Sequence, residues 1–251
     1  MTASFSQVGS SFPQFMALVA QRQSPALLWY SAPGERIELS GRVFDNWVAK
    51  TANFLVDECE VEPGSLLALP QRLHWRSLVL AAAGLRVGAT LAWGQQAGAD
   101  VRAVFDTAEL EGAGAEYLLA VAAEPLAPRF MGQLPPDVLD YAAEVRSHPD
   151  VYVGLAEPTT SEDQTWAGTS YGRLMEQLTE RARALGAEYE PEVAALQVPG
   201  EHFDAAYLEQ ALAVMASGRA ALVLDPAVTW EQERLSRVLG DERARSLPSQ
   251  R

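Results

Sequence analysis

Short apolar runs alternate with longer amphipathic runs along this chain, and one such unit occurs twice, which leaves few folds open. Phe44, Trp47, Val48, Thr51 and Leu55 form an apolar stripe, and Tyr171, Leu174, Met175, Leu178 and Ala182 repeat it 127 places later. Glu60-Val61-Glu62-Pro63 is echoed by Glu188-Tyr189-Glu190-Pro191, and His74-Trp75 by His202-Phe203, both 128 places on. The apolar runs 65–69 and 89–93 find counterparts at 193–197 and 220–224, with Gly88 and Gly218 leading the second of each pair. The spacing predicts a helix–strand–helix–strand unit at about 40–93, a connecting region at about 94–150 and a second unit at about 168–226, the two copies sharing one sheet. Residues 1–251 are read as a single domain.

The remaining elements follow from periodicity and turn residues. A short helix is expected at 12–20, with Phe12, Phe15, Met16 and Val19 on one face. A strand at 26–30, the Pro33-Gly34 turn and a strand at 37–39 form a hairpin. Ser40 is placed to cap the helix that runs to about Glu58. Strands are expected at 101–105, 117–121 and 151–155. Helices are expected at 73–86, 137–146, 171–185, 203–216 and 228–239, and 243–251 reads as a frayed tail. The last helix is a candidate cover for the open sheet edge. Strands separated by helices predict an α/β fold, helices layered on a mostly parallel sheet.

Composition excludes several functions. The 251 residues carry 33 Asp and Glu against 19 Lys and Arg, a formal charge of −14. A basic groove for nucleic acid and a basic face for anionic membrane are not expected. Lysine occurs once, at Lys50. One cysteine, Cys59, allows neither an internal disulfide nor a cysteine zinc site, and is expected to be buried. The first residues lack a basic segment ahead of an apolar run, and no run of about 18 apolar residues occurs, so a cytoplasmic protein is expected.

The order of elements resembles the large domain of the AMP-forming adenylating enzymes, which include acyl-CoA synthetases, luciferases and peptide-synthetase adenylation domains. The stretch that carries the resemblance begins at Ile37-Glu38-Leu39-Ser40-Gly41-Arg42-Val43-Phe44. It continues through Val61-Glu62-Pro63-Gly64-Ser65-Leu66-Leu67-Ala68-Leu69 and on to Ala83, Gly88 and Ala89. The family pattern has Asp where this chain has Ser65. The chain also resembles a group of short, uncharacterised actinobacterial proteins. The resemblance covers the first half of a full enzyme, so the chain reads as a truncated member whose later nucleotide-binding and catalytic residues are absent.

The resemblance places a phosphate loop between residues 155 and 171, where the family has a Ser/Thr/Gly run with one lysine. Glycines there let backbone amides reach phosphate, and the hydroxyls and lysine add donors. Here Thr159, Thr160, Ser161, Thr169 and Ser170 keep the hydroxyls, and they are the candidate remnant of the nucleotide site. The glycine spacing and the lysine are gone, and Glu157, Glu162 and Asp163 stand nearby. His74 and His202, at equivalent repeat positions, are expected to face one crevice at the carboxyl ends of the strands. With Trp166, which could cap a pocket or an interface, they are the candidate substrate contacts. His148 is expected to be solvated in a turn.

No catalytic residue is assigned, and three scattered histidines give no metal motif. Three readings stand. One is a degenerate, inactive ligase-like protein that binds a partner or a small carboxylate and needs no cofactor. Another is a scaffold or homo-oligomer subunit. The third is an ATP- and magnesium-dependent acyl-adenylate or acyl-CoA-forming enzyme that works with a second polypeptide.

Overall fold

The computed structural model describes residues 8–110, 114–154 and 160–248. They divide into two compact units. Of the described residues, the first joins 8–44, 73–75 and 172–248; the second joins 45–72, 76–110, 114–154 and 160–171.

The first unit is built on a five-stranded sheet ordered β12-β10-β11-β1-β2. Helix α1 (Phe12–Ala20) starts where the Ser11 hydroxyl accepts from the Gln14 amide, and it buries Phe12, Phe15, Met16 and Val19 as its periodicity demands. Strand β1 (Pro25–Tyr30) turns back through 31–35 into β2 (Arg36–Ser40), the one antiparallel pair of the sheet. β10 (Ala195–Gln197), helix α6 (Ala205–Ala216) and β11 (Ala220–Leu224) make a parallel crossover. Asp204 caps α6 by accepting from the Tyr207 amide. Helix α7 (Gln232–Asp241) and β12 (Ala244–Ser246) complete the unit. Val238 of α7 packs on a buried cluster that includes Leu28, Ala195, Leu222 and Ala244.

The second unit carries an all-parallel sheet ordered β4-β3-β5-β6-β7. Its strands are β3 (Leu66–Leu69), β4 (Thr90–Trp93), β5 (Val101–Val104), β6 (Tyr117–Ala120) and β7 (Val138–Asp140). Helix α2 (Gly41–Cys59) enters this unit past Phe44, and α3 (Trp75–Val87) links β3 to β4. The Ser40 hydroxyl accepts from the Val43 amide at 3.3 Å, the cap expected from sequence. Gly88 and Gly218 close α3 and α6 with φ of +90° and +83°, a conformation that costs other residues but not glycine. Both copies of the repeat therefore end their second helix in the same way. A short helix α4 (Tyr141–Glu144), a hairpin of β8 (Gln164–Trp166) and β9 (Thr169–Ser170), and helix α5 (Tyr171–Glu188) follow. Past Tyr171, α5 belongs to the first unit.

The α/β class and the mostly parallel sheets stand as expected. Four details do not. The repeats do not share a sheet: β3 and β4 lie in one, β10 and β11 in the other. Residues 137–146 are not one helix. Asp140 accepts from the amides of Ala142 and Ala143, so the helix begins only after it, and Val138 and Leu139 pair instead with Leu118 and Leu119. Residues 151–154 join no sheet. Asn53 Nδ2 donates to the carbonyls of Pro149 and Val151, and Val151 and Val153 are exposed. Finally, the expected frayed tail contains β12, which pairs with β10 in parallel and covers the edge assigned to α7; α7 packs on the sheet face.

Candidate functional site

Several hydrogen-bonding groups of residues 160–170 are satisfied within or next to the segment. The Thr160 amide donates to Asp163 Oδ2 at 2.7 Å, and the Asp163 amide donates back to the Thr160 carbonyl at 3.3 Å. The Asp163 carbonyl then accepts from the Tyr171 amide at 2.9 Å, the first residue of α5. Within the β8–β9 hairpin the fully buried Thr165 hydroxyl donates to the Thr169 carbonyl at 2.8 Å. Thr90 of β4 donates to the Gln164 carbonyl at 3.3 Å and ties the hairpin to the second sheet. Thr160, Ser161, Glu162 and Asp163 are exposed, Thr169 and Ser170 are half-buried, and Thr159 lies outside the described residues.

Two aromatic contacts fix this segment from below. Trp166 is 6 % exposed, and its ring meets Trp93 edge-on with centroids 6.0 Å apart. Tyr171 donates its hydroxyl to the Leu85 carbonyl at 2.8 Å, and burial raises its pKa. The hairpin is thereby a packed part of the second unit.

The two repeat-related histidines have different surroundings. His74 is 1 % exposed, with its ring 4.8 Å from that of Trp29 on β1. His202 is exposed in the loop that follows β10. His148, expected in solvent, is only 8 % exposed: its ring packs edge-on against Phe54, and Nδ1 lies 3.4 Å from Asp57. Cys59 is buried, as expected.

At the carboxyl ends of β1 and β11, where open α/β sheets usually take ligands, Trp230 and Arg234 bond to the residues that follow the strands. Ser31 donates to Asp225 at 2.8 Å, Trp230 Nε1 donates to the Asp225 carbonyl at 2.9 Å, and Arg234 donates to the Ser31 carbonyl. The Arg234 guanidinium also covers the Trp230 ring at 4.1 Å. Among the described residues no group of three His, Cys, Asp or Glu is placed to hold a metal ion, and no helix is long and apolar enough to cross a membrane.

Sequence reasoning passed over Arg22, Arg183 and Arg219, which line a cavity of the first unit. They are isolated arginines on separate elements, far apart in the chain, so no local pattern joins them. The one available signal was their scarcity, 19 basic residues in an acidic chain.

The fold is that of part of an AMP-dependent ligase. An acyl-CoA synthetase from Brucella canis superposes with a TM-score of 0.69 at 14 % identity, over 94 % of this chain and 46 % of that one. Coronafacic acid ligase from Pectobacterium brasiliense gives 0.65 at 12 % identity, over 94 % and 49 %. An artificially fused adenylation–PCP di-domain from Klebsiella oxytoca gives 0.60 at 14 % identity, over 94 % and 42 %. The chain thus spans less than half of these structures. A Mycobacterium tuberculosis protein (strain ATCC 25618 / H37Rv), whose name gives a family number and no activity, is 29 % identical over 238 residues, 88 % of this chain and 94 % of its own. No family model matches the chain.

Proposed function

We propose that this chain is a degenerate relative of the AMP-dependent ligases, one that keeps their fold, forms no adenylate and acts by binding. The observation that supports this most is the Thr160 amide, which donates to the Asp163 carboxylate. A phosphate loop needs amides that point outward and unspent, with a cation beside them. Here the Asp163 carboxylate takes the Thr160 amide, and its charge with that of exposed Glu162 repels a triphosphate. The chain has no lysine in this segment; Lys50 donates to the His148 carbonyl at 2.5 Å in the second unit. Thr165, the buried hydroxyl of the hairpin, is already committed to the Thr169 carbonyl.

The reading is tested by incubating the full chain with ATP, magnesium and a broad panel of carboxylic acids and measuring AMP by chromatography. AMP is expected to stay at the protein-free level with every acid. Sustained AMP formation, lost in Thr169→Val or His202→Ala, would overturn the proposal.

A further inference from the structure

The first unit holds a cavity of about 720 Å³ at the amino ends of its parallel strands, against Pro25 of β1, Ala195 of β10 and Ala220 of β11. This is the end of the sheet opposite to the one the fold class ordinarily uses. In a chain with 33 acidic and 19 basic residues, its lining gathers three arginines, Arg22, Arg183 and Arg219, and one carboxylate, Glu242. That carboxylate is already spent: Arg36 lies 2.8 Å from it, and the Tyr30 hydroxyl donates to it.

Arg22 and Arg219 have carbonyl partners but no acid among the described residues. Arg22, 9 % exposed, donates to the carbonyls of Pro25 at 2.8 Å, Met215 at 3.1 Å and Arg219 at 3.3 Å. Arg219, also 9 % exposed, donates to the carbonyls of Tyr189 at 2.7 Å and Glu190 at 3.3 Å, and its Nε is buried with no hydrogen-bond partner. Burial pulls the pKa of both below the usual guanidinium range, Arg22 to about 10. Carbonyls satisfy donors without cancelling charge, and a buried cation without an anion is costly. Arg183 is exposed on the wall formed by α5 and has no ion-pair partner among the described residues.

We propose that this cavity binds a small organic monoanion with an apolar body. Charge sets the sign of the ligand, and the guanidinium groups provide charge-assisted donors for one acidic head. Leu28 and Val193 give the remainder of the lining its apolar character. The volume falls within the range of about 300–1,000 Å³ usual for small-molecule sites. The carbonyl-rich end of α6, at Ser217 and Gly218, weakens the pull of the arginines on negative charge, which favours a ligand with one acidic group over one with several. The site does not rest on the fate of residues 160–170, which belong to the second unit.

The test is isothermal calorimetry of the full chain with hexanesulfonate, hexanoate, hexylammonium and inorganic phosphate. Saturable binding of the first two is expected, at least tenfold tighter than phosphate, with none of hexylammonium. Arg183→Glu should weaken hexanesulfonate at least tenfold, and its melting temperature, checked by circular dichroism, should match the parent. A second variant leaves charge untouched: a Cβ at Gly186, on the same wall, meets nothing within 4 Å, so Gly186→Phe reaches into open space. It should abolish hexanesulfonate binding while the protein stays folded. Silence from both organic anions at millimolar concentration, equal binding of hexylammonium or phosphate, or affinity unchanged in either variant would overturn the proposal.

Discussion

At the scale of single residues, burial decides the chemistry. Cys59, the last residue of α2, is 2 % exposed, and burial together with the Glu58 charge pushes its thiol up to about 12. At pH 8 the native chain should therefore resist a disulfide-exchange reagent for hours and react stoichiometrically in denaturant; rapid labelling of the native chain would contradict its placement. Tyr141, fully buried, shares a 2.8 Å hydrogen bond with Thr51, and burial raises its phenol to about 12. Its native-state pKa lies above the unfolded value of 10.0, so it contributes stability that is complete below pH 10 and is lost as pH rises toward 12. Tyr141→Phe should cost about 1–2 kcal/mol at pH 7 in urea unfolding. The gap from the parent should narrow between pH 10 and 12, and a gap independent of pH would refute the assignment. The burial of Cys59 was legible from the apolar face of its helix; Tyr141 was legible as an inward residue, though of a longer helix than the one it begins. The burial of His148 was not, because a Ser-His-Pro-Asp turn carries no sign of the Phe54 ring that covers it.

Among elements, those whose pattern is set locally were readable: the hairpin of β1 and β2, the Ser40 cap and the stop at Gly88. Misreadings arose where a distant partner decides. Val138 and Leu139 suit a helix or a strand, and β6 settles the matter. Residues 151–154 look like a strand, but Asn53 takes the Val151 carbonyl, and Val151 and Val153 stay exposed with no strand beside them among the described residues. Arg243 to Arg251 is polar enough to read as a tail, yet Ala244 is 5 % exposed and joins the cluster around Leu28 and Val238. Placing a charge there tests the strand. Ala244→Asp should destabilise the chain by about 2–4 kcal/mol and lower the melting temperature accordingly. A frayed tail would leave the melting temperature where it was.

Across the whole molecule, the repeat was visible because the same packing problem is solved twice. The allocation of its copies to two sheets was not, since strand order depends on contacts that spacing does not encode. The candidate site divides in the same way. The hydroxyls and carboxylates of 160–170 could be read from the chain, but the use of Asp163 to cap the Thr160 amide required coordinates. The central claim is that this segment does not hold a triphosphate. Calorimetric titration of the full chain with magnesium-ATP measures it most directly. No heat above dilution is expected up to millimolar nucleotide. Saturable binding, tighter with magnesium than without and weakened by Ser170→Ala, would contradict the account.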